Sequence, residues 1–339
     1  MTMSAKEESL FEAFLNRYDT LAWDGVVRSL LPYIHEVDRT ATRIWLAFFP
    51  LGLARAFDLA DNPDELAKKL LIQGRYRLKD QIDSSHVFLY GHRYWPEVKR
   101  AVSEYAASAK APASLDLALQ IRELAGKVAN RIEADESLLV GITAVAFLTL
   151  QQVGWKAFDA SPGVVNIDRS RASRSPEQVL KARARNDSQG LFGSLLGLEK
   201  KYAITFNENA KNANFTLIEG QHLTTAAAED KRDYVSRDPR CTVNEGPIPV
   251  QCRSASCGTC WVGVLAGAES LSAVLPLERR RIREFGYIDT EEERPIIRLA
   301  CQSQASGAVT IVIPPWNGVF GKFLRGEKSM LDEIEISGS

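Results

Sequence analysis

The stretch Cys252-Arg-Ser-Ala-Ser-Cys257-Gly-Thr-Cys260 holds three of the chain's five cysteines, and a fourth, Cys301, follows in the sequence Leu-Ala-Cys-Gln. The spacing is C-x4-C-x2-C, with 40 residues between Cys260 and Cys301. Three thiols on one tight loop can enclose one edge of a small metal centre, and a fourth from a distant strand can close it. We therefore expect these four cysteines to be metal ligands.

Four thiolates at this spacing are typical of a plant-type [2Fe-2S] cluster. The loop also supplies groups that stabilise thiolates, because Arg253 adds a positive charge and small residues let backbone amides approach the sulfurs. The predicted cofactor-contacting residues are Arg253, Ser254, Ala255, Ser256, Gly258 and Thr259. Because the ligand set lacks histidine, the expected reduction potential is about −400 mV, and the expected chemistry is outer-sphere transfer of one electron.

Four cysteines can instead hold a structural zinc ion. Zinc sites usually use two short cysteine pairs of the C-x2-4-C type. Three ligands on one loop with one remote ligand fit that pattern poorly, so the spacing favours one [2Fe-2S] cluster over zinc.

The region from about residue 200 to residue 315 resembles the plant-type [2Fe-2S] ferredoxin family. The matching features occur in this order: a predicted hairpin of residues 202–206 and 215–218, a turn at Gly220 into a helix of residues 224–230, the cysteine loop, a strand at 261–265, and Leu-Ala-Cys-Gln before a last strand at 309–313. The resemblance implies a β-grasp fold, the four cysteines as cluster ligands, and electron exchange with a partner protein.

The chain departs from the family pattern at three places. Ala255 stands where the loop of the family usually has glycine, and we expect it to alter one amide contact to the cluster. Residues 231–251 and 275–293 are longer than the usual connections, so the resemblance does not predict where a partner docks. The fifth cysteine, Cys241, lies in the first insertion; we interpret it as an ordinary free thiol, with redox sensing or a spare ligand role as alternatives.

Residues 1–160 are predicted to be helical, because they contain no extended run of alternating polar and apolar residues. Asn62-Pro-Asp-Glu65 has the form of a helix start, and that helix is expected to stop near Gly74. Apolar residues recur at helical spacing between 115 and 132, and residues 138–155 predict a central helix that is apolar on all sides. We recognise no nucleotide fingerprint, flavin motif or carboxylate–histidine metal set in this sequence.

His86 and His92 flank an aromatic stretch, and ligation of haem or a metal is one interpretation of them. A separation of six residues does not place two imidazoles on one face of a helix. Dense tyrosine and tryptophan usually pack a core or an interface, so we expect a packing role.

The bulk composition excludes several classes of function. With 42 basic and 43 acidic residues the net charge is −1, which gives no argument for nucleic-acid binding.

The first ten residues contain no apolar signal segment, so a cytoplasmic location is expected. Residues 138–150 are 13 uncharged residues, fewer than the roughly 18 to 20 that a membrane span needs.

Residues 161–197 are predicted to be a basic linker with a short helix that begins at Pro176. Between 169 and 185, six basic residues against the single acidic Glu177 give a net charge of +5. A solvated linker is favoured, and a strip that attracts anions or an acidic partner is the alternative.

We therefore predict an α+β multidomain protein. Its parts are an N-terminal all-α helical domain for docking or dimerisation (1–160), the linker (161–197), a β-grasp [2Fe-2S] ferredoxin-like domain (198–327) and an acidic tail (328–339). The expected cofactor is one [2Fe-2S] cluster.

The expected function is one-electron transfer through the cluster to or from a partner oxidoreductase. Residues 198–327 carry 16 basic and 16 acidic residues, unlike the strongly acidic ferredoxins that serve many partners, so a dedicated partner is expected. One alternative is a regulatory module in which the cluster senses redox state and controls partner binding by the helical domain. Another is an electron-accepting subunit of an enzyme with an unrecognised site in the helical domain. A homodimer formed through the helical domain is a further expectation.

Overall fold

The chain forms two compact units, and one segment from the N-terminal half belongs to the second unit. The computed structural model describes residues 9–108, 116–183, 200–285, 287 and 291–318. The first unit contains Met1–Arg55 and Arg77–Pro176, and the second contains Ala56–Tyr76 and Glu177–Ser339. The segment Ala56–Tyr76 thus belongs to the unit that carries the cysteines, which differs from a helical domain spanning 1–160.

The N-terminal half is mainly helical, as its sequence predicts. Its α-helices are α1 (Leu10–Leu15), α2 (Thr20–Leu30), α3 (Glu36–Phe48), α4 (Leu51–Leu59), α5 (Pro63–Lys69), α6 (Trp95–Ala107), α7 (Leu117–Ile132), α8 (Ser137–Val153), α9 (Trp155–Ala160) and α10 (Arg169–Ala172). Short 3-10 turns occur at Leu31–Tyr33, Leu78–Gln81 and Tyr90–Tyr94.

Helix α8 is the centre of the first unit. Every residue from 138 to 150 is buried, and α3, α6 and α7 pack around the helix. The prediction of a central helix that is apolar on all sides is therefore confirmed. Within the described part of the chain, no helix combines the length and apolar character that crossing a membrane requires.

Helix α5 begins as predicted but ends earlier. The side chain of Asn62 accepts a hydrogen bond from the Glu65 amide at 3.2 Å. The helix ends at Lys69 because Leu71 takes a left-handed conformation, with φ of 54°. The chain then forms a two-residue strand, β1 (Gln73–Gly74), so the prediction of an all-α N-terminal region was wrong at this point.

The second unit is built on a mixed sheet. Its further strands are β2 (Lys201–Thr205), β3 (Asn214–Ile218), β4 (Trp261–Ala266), β5 (Ile297–Leu299), β6 (Val309–Val312) and β7 (Trp316–Asn317). The five-stranded sheet has the order β3-β2-β6-β4-β5, in which β2 and β6 are parallel and the other neighbours antiparallel. Besides α5, the described helices of this unit include α11 (Pro176–Arg183), α12 (Leu223–Ala228) and α13 (Pro276–Glu284), and a 3-10 turn spans Ala268–Ser270. The predicted hairpin is confirmed as β2–β3.

Residues 71–76, here called the strap, connect the N-terminal half to the end of the described chain. Strand β1 pairs antiparallel with β7, and the Arg75 amide donates to the Pro315 carbonyl at 2.8 Å. A Cβ on Gly74 would lie 2.5 Å from the Pro315 oxygen, and one on Gly318 would lie 2.3 Å from the Leu71 oxygen. Both glycines have positive φ, so this close approach needs residues without a side chain.

The described part of the second insertion is anchored to the sheet through helix α13. Glu278 of α13 and Arg298 of β5 are completely buried and form two hydrogen bonds of 2.9 and 3.0 Å. Glu278 also accepts the Leu299 amide at 2.8 Å, and Arg298 donates to the Ser272 carbonyl at 2.9 Å. The charged groups are therefore satisfied, as burial requires.

Part of the predicted basic linker is used in internal contacts. Arg171 donates to the Val87 and Leu89 carbonyls. Arg183 pairs with Glu208 at 2.7 Å, and both side chains are largely buried. Residues 184–197 and the acidic tail 328–339 lie outside the described residues.

His86 and His92 lie together although they do not share a helix. Their Nδ1 atoms are 2.8 Å apart, and both side chains are buried. His86 Nε2 lies 3.2 Å from the Ile82 carbonyl. Because a carbonyl only accepts, this nitrogen carries the proton, and neutral His86 accepts at Nδ1 a hydrogen bond that His92 donates. The expectation of a packing role agrees with this pair, because the His86 ring lies 3.9 Å from the Trp95 ring, tilted by 44°.

The histidine pair should make the first unit sensitive to acid. Burial, followed by the Arg171 charge, lowers the pKa of His92 to about 4, and burial and His92 lower that of His86. Between about pH 6.5 and pH 4 the two histidines bind protons in the unfolded chain but stay neutral in the folded chain. The free energy of unfolding therefore falls as the pH falls across this window. The double variant His86→Leu/His92→Leu should show a shallower decline in melting temperature by far-UV circular dichroism. An equal slope in both proteins would contradict this assignment.

Breaking the buried ion pair should destabilise the second unit strongly. Glu278→Gln leaves the Arg298 charge buried without compensation, which costs about 3–5 kcal/mol of unfolding free energy. The control Glu284→Gln, on the same helix, removes the partly exposed pair with Arg281 and should cost about 1 kcal/mol or less. Urea unfolding followed by tryptophan fluorescence compares the two, and similar losses would refute the assigned role of Glu278.

Candidate metal centre

The sheet brings the remote fourth cysteine to the cysteine loop. Residues 252–260 form an irregular loop that runs into β4, and Cys301 lies two residues after the end of β5. Trp261 of β4 pairs with Leu299 of β5, and the Ala300 amide donates to the Cys260 carbonyl at 3.0 Å. The antiparallel register therefore places Cys260 beside Cys301.

The four cysteines differ in their exposure. Cys252 and Cys257 are half-buried, whereas Cys260 is 2% and Cys301 is 5% exposed. The two buried thiols hydrogen-bond to each other; this bond, with burial, raises the pKa of Cys260, and it is the main reason that the pKa of Cys301 falls to about 7. One face of the site is thus closed by protein, and the other lies near solvent.

Three backbone amides point at the first sulfur. Cys252 Sγ accepts from the amides of Ser254 at 3.4 Å, Ser256 at 3.3 Å and Cys257 at 3.3 Å. Burial raises the pKa of Cys252, but the hydrogen bonds from Ser256, Ser254 and Cys257 outweigh it and lower the pKa to about 6. The loop is therefore arranged to stabilise a thiolate at this position.

Two further sulfurs have polar side-chain neighbours. Thr259 Oγ1 lies 3.1 Å from Cys257 Sγ, which agrees with the predicted contact role of Thr259. Gln302 Nε2 donates to Cys301 Sγ at 3.3 Å. The sequence interpretation missed Gln302; its position next to a ligand cysteine was the only available signal.

The loop reaches this conformation through three left-handed residues. Arg253, Ala255 and Gly258 have φ of 52°, 60° and 67°. A Cβ on Gly258 would lie 3.0 Å from the Gly318 oxygen and 3.1 Å from the Phe285 ring. Glycine is therefore required at 258 by space as well as by φ, whereas Arg253 and Ala255 hold a conformation that side chains disfavour.

The other predicted contact residues form the exposed rim of the loop. Arg253, Ser254 and Ser256 are exposed, and Ala255 is fully buried between them. The guanidinium of Arg253 pairs with Glu245 of the first insertion, so its charge is shared with a carboxylate rather than directed only at the sulfurs.

A zinc ion and a two-iron cluster place different demands on four thiols. Among the described residues, which include all four cysteines, no three histidine, cysteine or acidic side chains converge where one metal ion could bind them. Tetrahedral zinc needs four ligands around one ion, whereas a two-iron cluster divides its four thiolates between two irons. The amides around Cys252 add the hydrogen bonds to sulfur that such clusters use.

Cys241 is separate from this ligand set. It is 7% exposed, and its thiol donates to the Pro247 carbonyl at 3.5 Å. Burial, together with the Asp238 charge, raises the pKa of Cys241 to about 11. A thiol that stays protonated and buried reacts poorly, in agreement with its interpretation as an ordinary free cysteine.

The left-handed Ala255 gives a direct test of the loop conformation. Ala255→Gly removes about 1–2 kcal/mol of backbone strain, which offsets the lost methyl burial and the greater freedom of the unfolded chain. The matched control Ala300→Gly also removes a fully buried methyl beside a ligand cysteine, but φ there is not positive. Ala300→Gly should therefore cost about 1–2 kcal/mol more unfolding free energy than Ala255→Gly. Equal costs in chemical denaturation would show that the loop is not strained.

Comparison with known proteins agrees with the geometry of the loop. Residues 217–306 match the family described as the 2Fe-2S iron-sulfur cluster binding domain. No curated protein and no solved structure was found to be similar to the chain, and the N-terminal region matches no family. The matched range contains all four cysteines of the set and ends before β6 and β7. Residues 217–306 are thus identified as a 2Fe-2S iron-sulfur cluster binding domain.

Proposed function

We propose that the protein transfers one electron at a time through a single [2Fe-2S] cluster, to or from a partner oxidoreductase. The ligands would be Cys252, Cys257, Cys260 and Cys301. The observation that carries the proposal is the set of three amides directed at Cys252 Sγ, in a domain whose family binds such a cluster.

The residues of the site would hold and shield the cofactor and would not themselves form bonds to a substrate. A thiolate-ligated cluster supplies one-electron chemistry without an open coordination position. Burial of Cys260 and Cys301 keeps water from one side. The amides of the loop and Gln302 favour the charged form of the sulfurs, which is how hydrogen bonds set a reduction potential.

The exposed rim of the loop is the proposed point of electron entry and exit. Arg253, Ser254 and Ser256 are exposed, while Trp261 behind the loop is 1% exposed. The half-buried sulfurs of Cys252 and Cys257 lie on the solvent side. A partner that docks on the rim would have the shortest path for the electron.

The proposal extends to the fold of the domain, its partner, its location and the role of the first unit. The parallel β2–β6 pair beside an antiparallel hairpin, with α12 packed on β3, supports a β-grasp fold. The balanced charge of residues 198–327 supports a dedicated partner. A cytoplasmic location, a homodimer and a docking role for the first unit stay predictions. The redox-sensing alternative loses support from Cys241, because its thiol is buried.

Anaerobic purification tests the proposal directly. The protein should contain two irons and two acid-labile sulfides per chain, absorb in the visible range, and give a rhombic EPR signal on reduction. Each of the variants Cys252→Ser, Cys257→Ser, Cys260→Ser and Cys301→Ser should lower or abolish this signal. The control Cys241→Ser should keep the full iron content. A colourless protein with one zinc per chain, or equal loss of iron in Cys241→Ser, would overturn the proposal.

A further inference from the structure

We propose that the strap (residues 71–76) and residues 314–318 form a clamp that positions the cysteine loop, with Asn317 as its central positioning residue. The N-terminal half of the chain would thus supply part of the support of the metal centre. The inference rests on the proposed function, because it concerns the loop that would hold the cluster.

The clamp contacts the spacer between two ligand cysteines. Asn317 is 2% exposed, and its Nδ2 donates to the Thr259 carbonyl at 3.0 Å. The Gly318 amide donates to the Gly258 carbonyl at 3.2 Å. Gly258 and Thr259 are the only residues between Cys257 and Cys260, so these two bonds fix the backbone on which two ligands depend.

The strap holds Asn317 and Gly318 from the other side. Gln73 pairs with Asn317 in the β1–β7 ladder, and the Arg75 amide donates to the Pro315 carbonyl at 2.8 Å. Gly318 approaches the strap so closely that a Cβ would lie 2.3 Å from the Leu71 oxygen. Residues 314–318 are therefore enclosed between the strap and the loop.

The first insertion closes the clamp at its other end. Arg240 donates to the Pro314 carbonyl at 2.9 Å, and Asp238 holds the guanidinium of Arg240 at 2.6 Å. The Arg240 side chain also lies against the strap, since a Cβ on Gly74 would be 2.8 Å from its Cδ.

Aromatic packing ties the same segment to the back of the loop. Trp316 stacks on Tyr287 with 6.2 Å between ring centroids, and Tyr287 meets Trp261 edge-on at 4.7 Å. All three side chains are at most 2% exposed. Because Trp261 directly follows the ligand Cys260, release of residues 316–318 would loosen both the backbone and the packing of the site.

The clamp is not part of the matched cluster-binding domain. That match covers residues 217–306; it includes Arg240 and Asp238, but the two segments of the clamp, 71–76 and 314–318, lie outside it. Both ends of the segment Ala56–Tyr76 continue into the first unit, at Arg55 and at Arg77. The covalent chain thus connects the helical unit to the support of the loop at two points.

A pair of glycine variants in the full-length protein tests the clamp. Gly74 and Gly220 have nearly the same left-handed φ, 83° and 82°, so alanine strains both backbones alike. Only at 74 does the new Cβ meet a neighbour, the Pro315 oxygen at 2.5 Å; at 220 it meets nothing within 4 Å. In the presence of an iron chelator, Gly74→Ala should lose its visible absorption about tenfold faster than Gly220→Ala.

A second variant tests Asn317 without disturbing the strap. Asn317→Leu has a similar volume but cannot donate to the Thr259 carbonyl. Hydrogen exchange of the peptide 252–261 should become faster, and the EPR lineshape of the reduced protein should shift, while exchange in α8 stays unchanged. This variant decides the question if Gly74→Ala does not fold.

The outcomes separate the clamp from the proposed function. Equal rates of cluster loss in Gly74→Ala and Gly220→Ala, or wild-type exchange of the loop in Asn317→Leu, would overturn the clamp. A wild-type protein without iron and sulfide would overturn the proposed function instead. The exchange measurement on the metal-free full-length protein would still test the clamp in that case.

Discussion

The antiparallel pairing of β4 with β5 is the constraint on which the metal centre depends. Trp261 faces Leu299 in this ladder, and Cys260 and Cys301 lie one and two residues beyond that pair. A slip of one residue would turn the following side chains to the opposite face of the sheet. The buried pair of Glu278 and Arg298 helps to prevent such a slip, because it binds β5 to a helix of the insertion by three hydrogen bonds.

The cysteine loop adopts an unfavourable backbone conformation that directs its amides at the sulfurs. Arg253 and Ala255 adopt positive φ, and in return the amides that follow Cys252 reach its sulfur. Strained backbone of this kind persists only where the surrounding structure determines it. In this loop the surrounding structure comes from several distant segments, and not only from the loop residues themselves.

The sequence was informative where a short pattern determines the structure. The cysteine spacing predicted the domain that the family comparison found, alternation identified the β2–β3 hairpin, and Asn62 identified the start of α5. Two-residue strands such as β1 have no detectable period, and their partners cannot be recognised from local sequence. The same limit applies to the histidine pair, whose contact is tertiary. Burial of Glu278 could not be predicted either, because its partner Arg298 lies 20 residues further along the chain.

The β1–β7 ladder also sets the order in which the protein can be completed during synthesis. Gln73 and Asn317 are separated by 317 − 73 = 244 positions, so the strap leaves the ribosome long before its partner. The first unit, Met1–Arg55 and Arg77–Pro176, is completed within this interval and can fold while the strap is still unpaired. Contacts of such high sequence separation form late. The last supports of the cysteine loop are therefore made at the end of translation, and a chain that ends before residue 316 lacks the bonds that Asn317 and Gly318 donate to it.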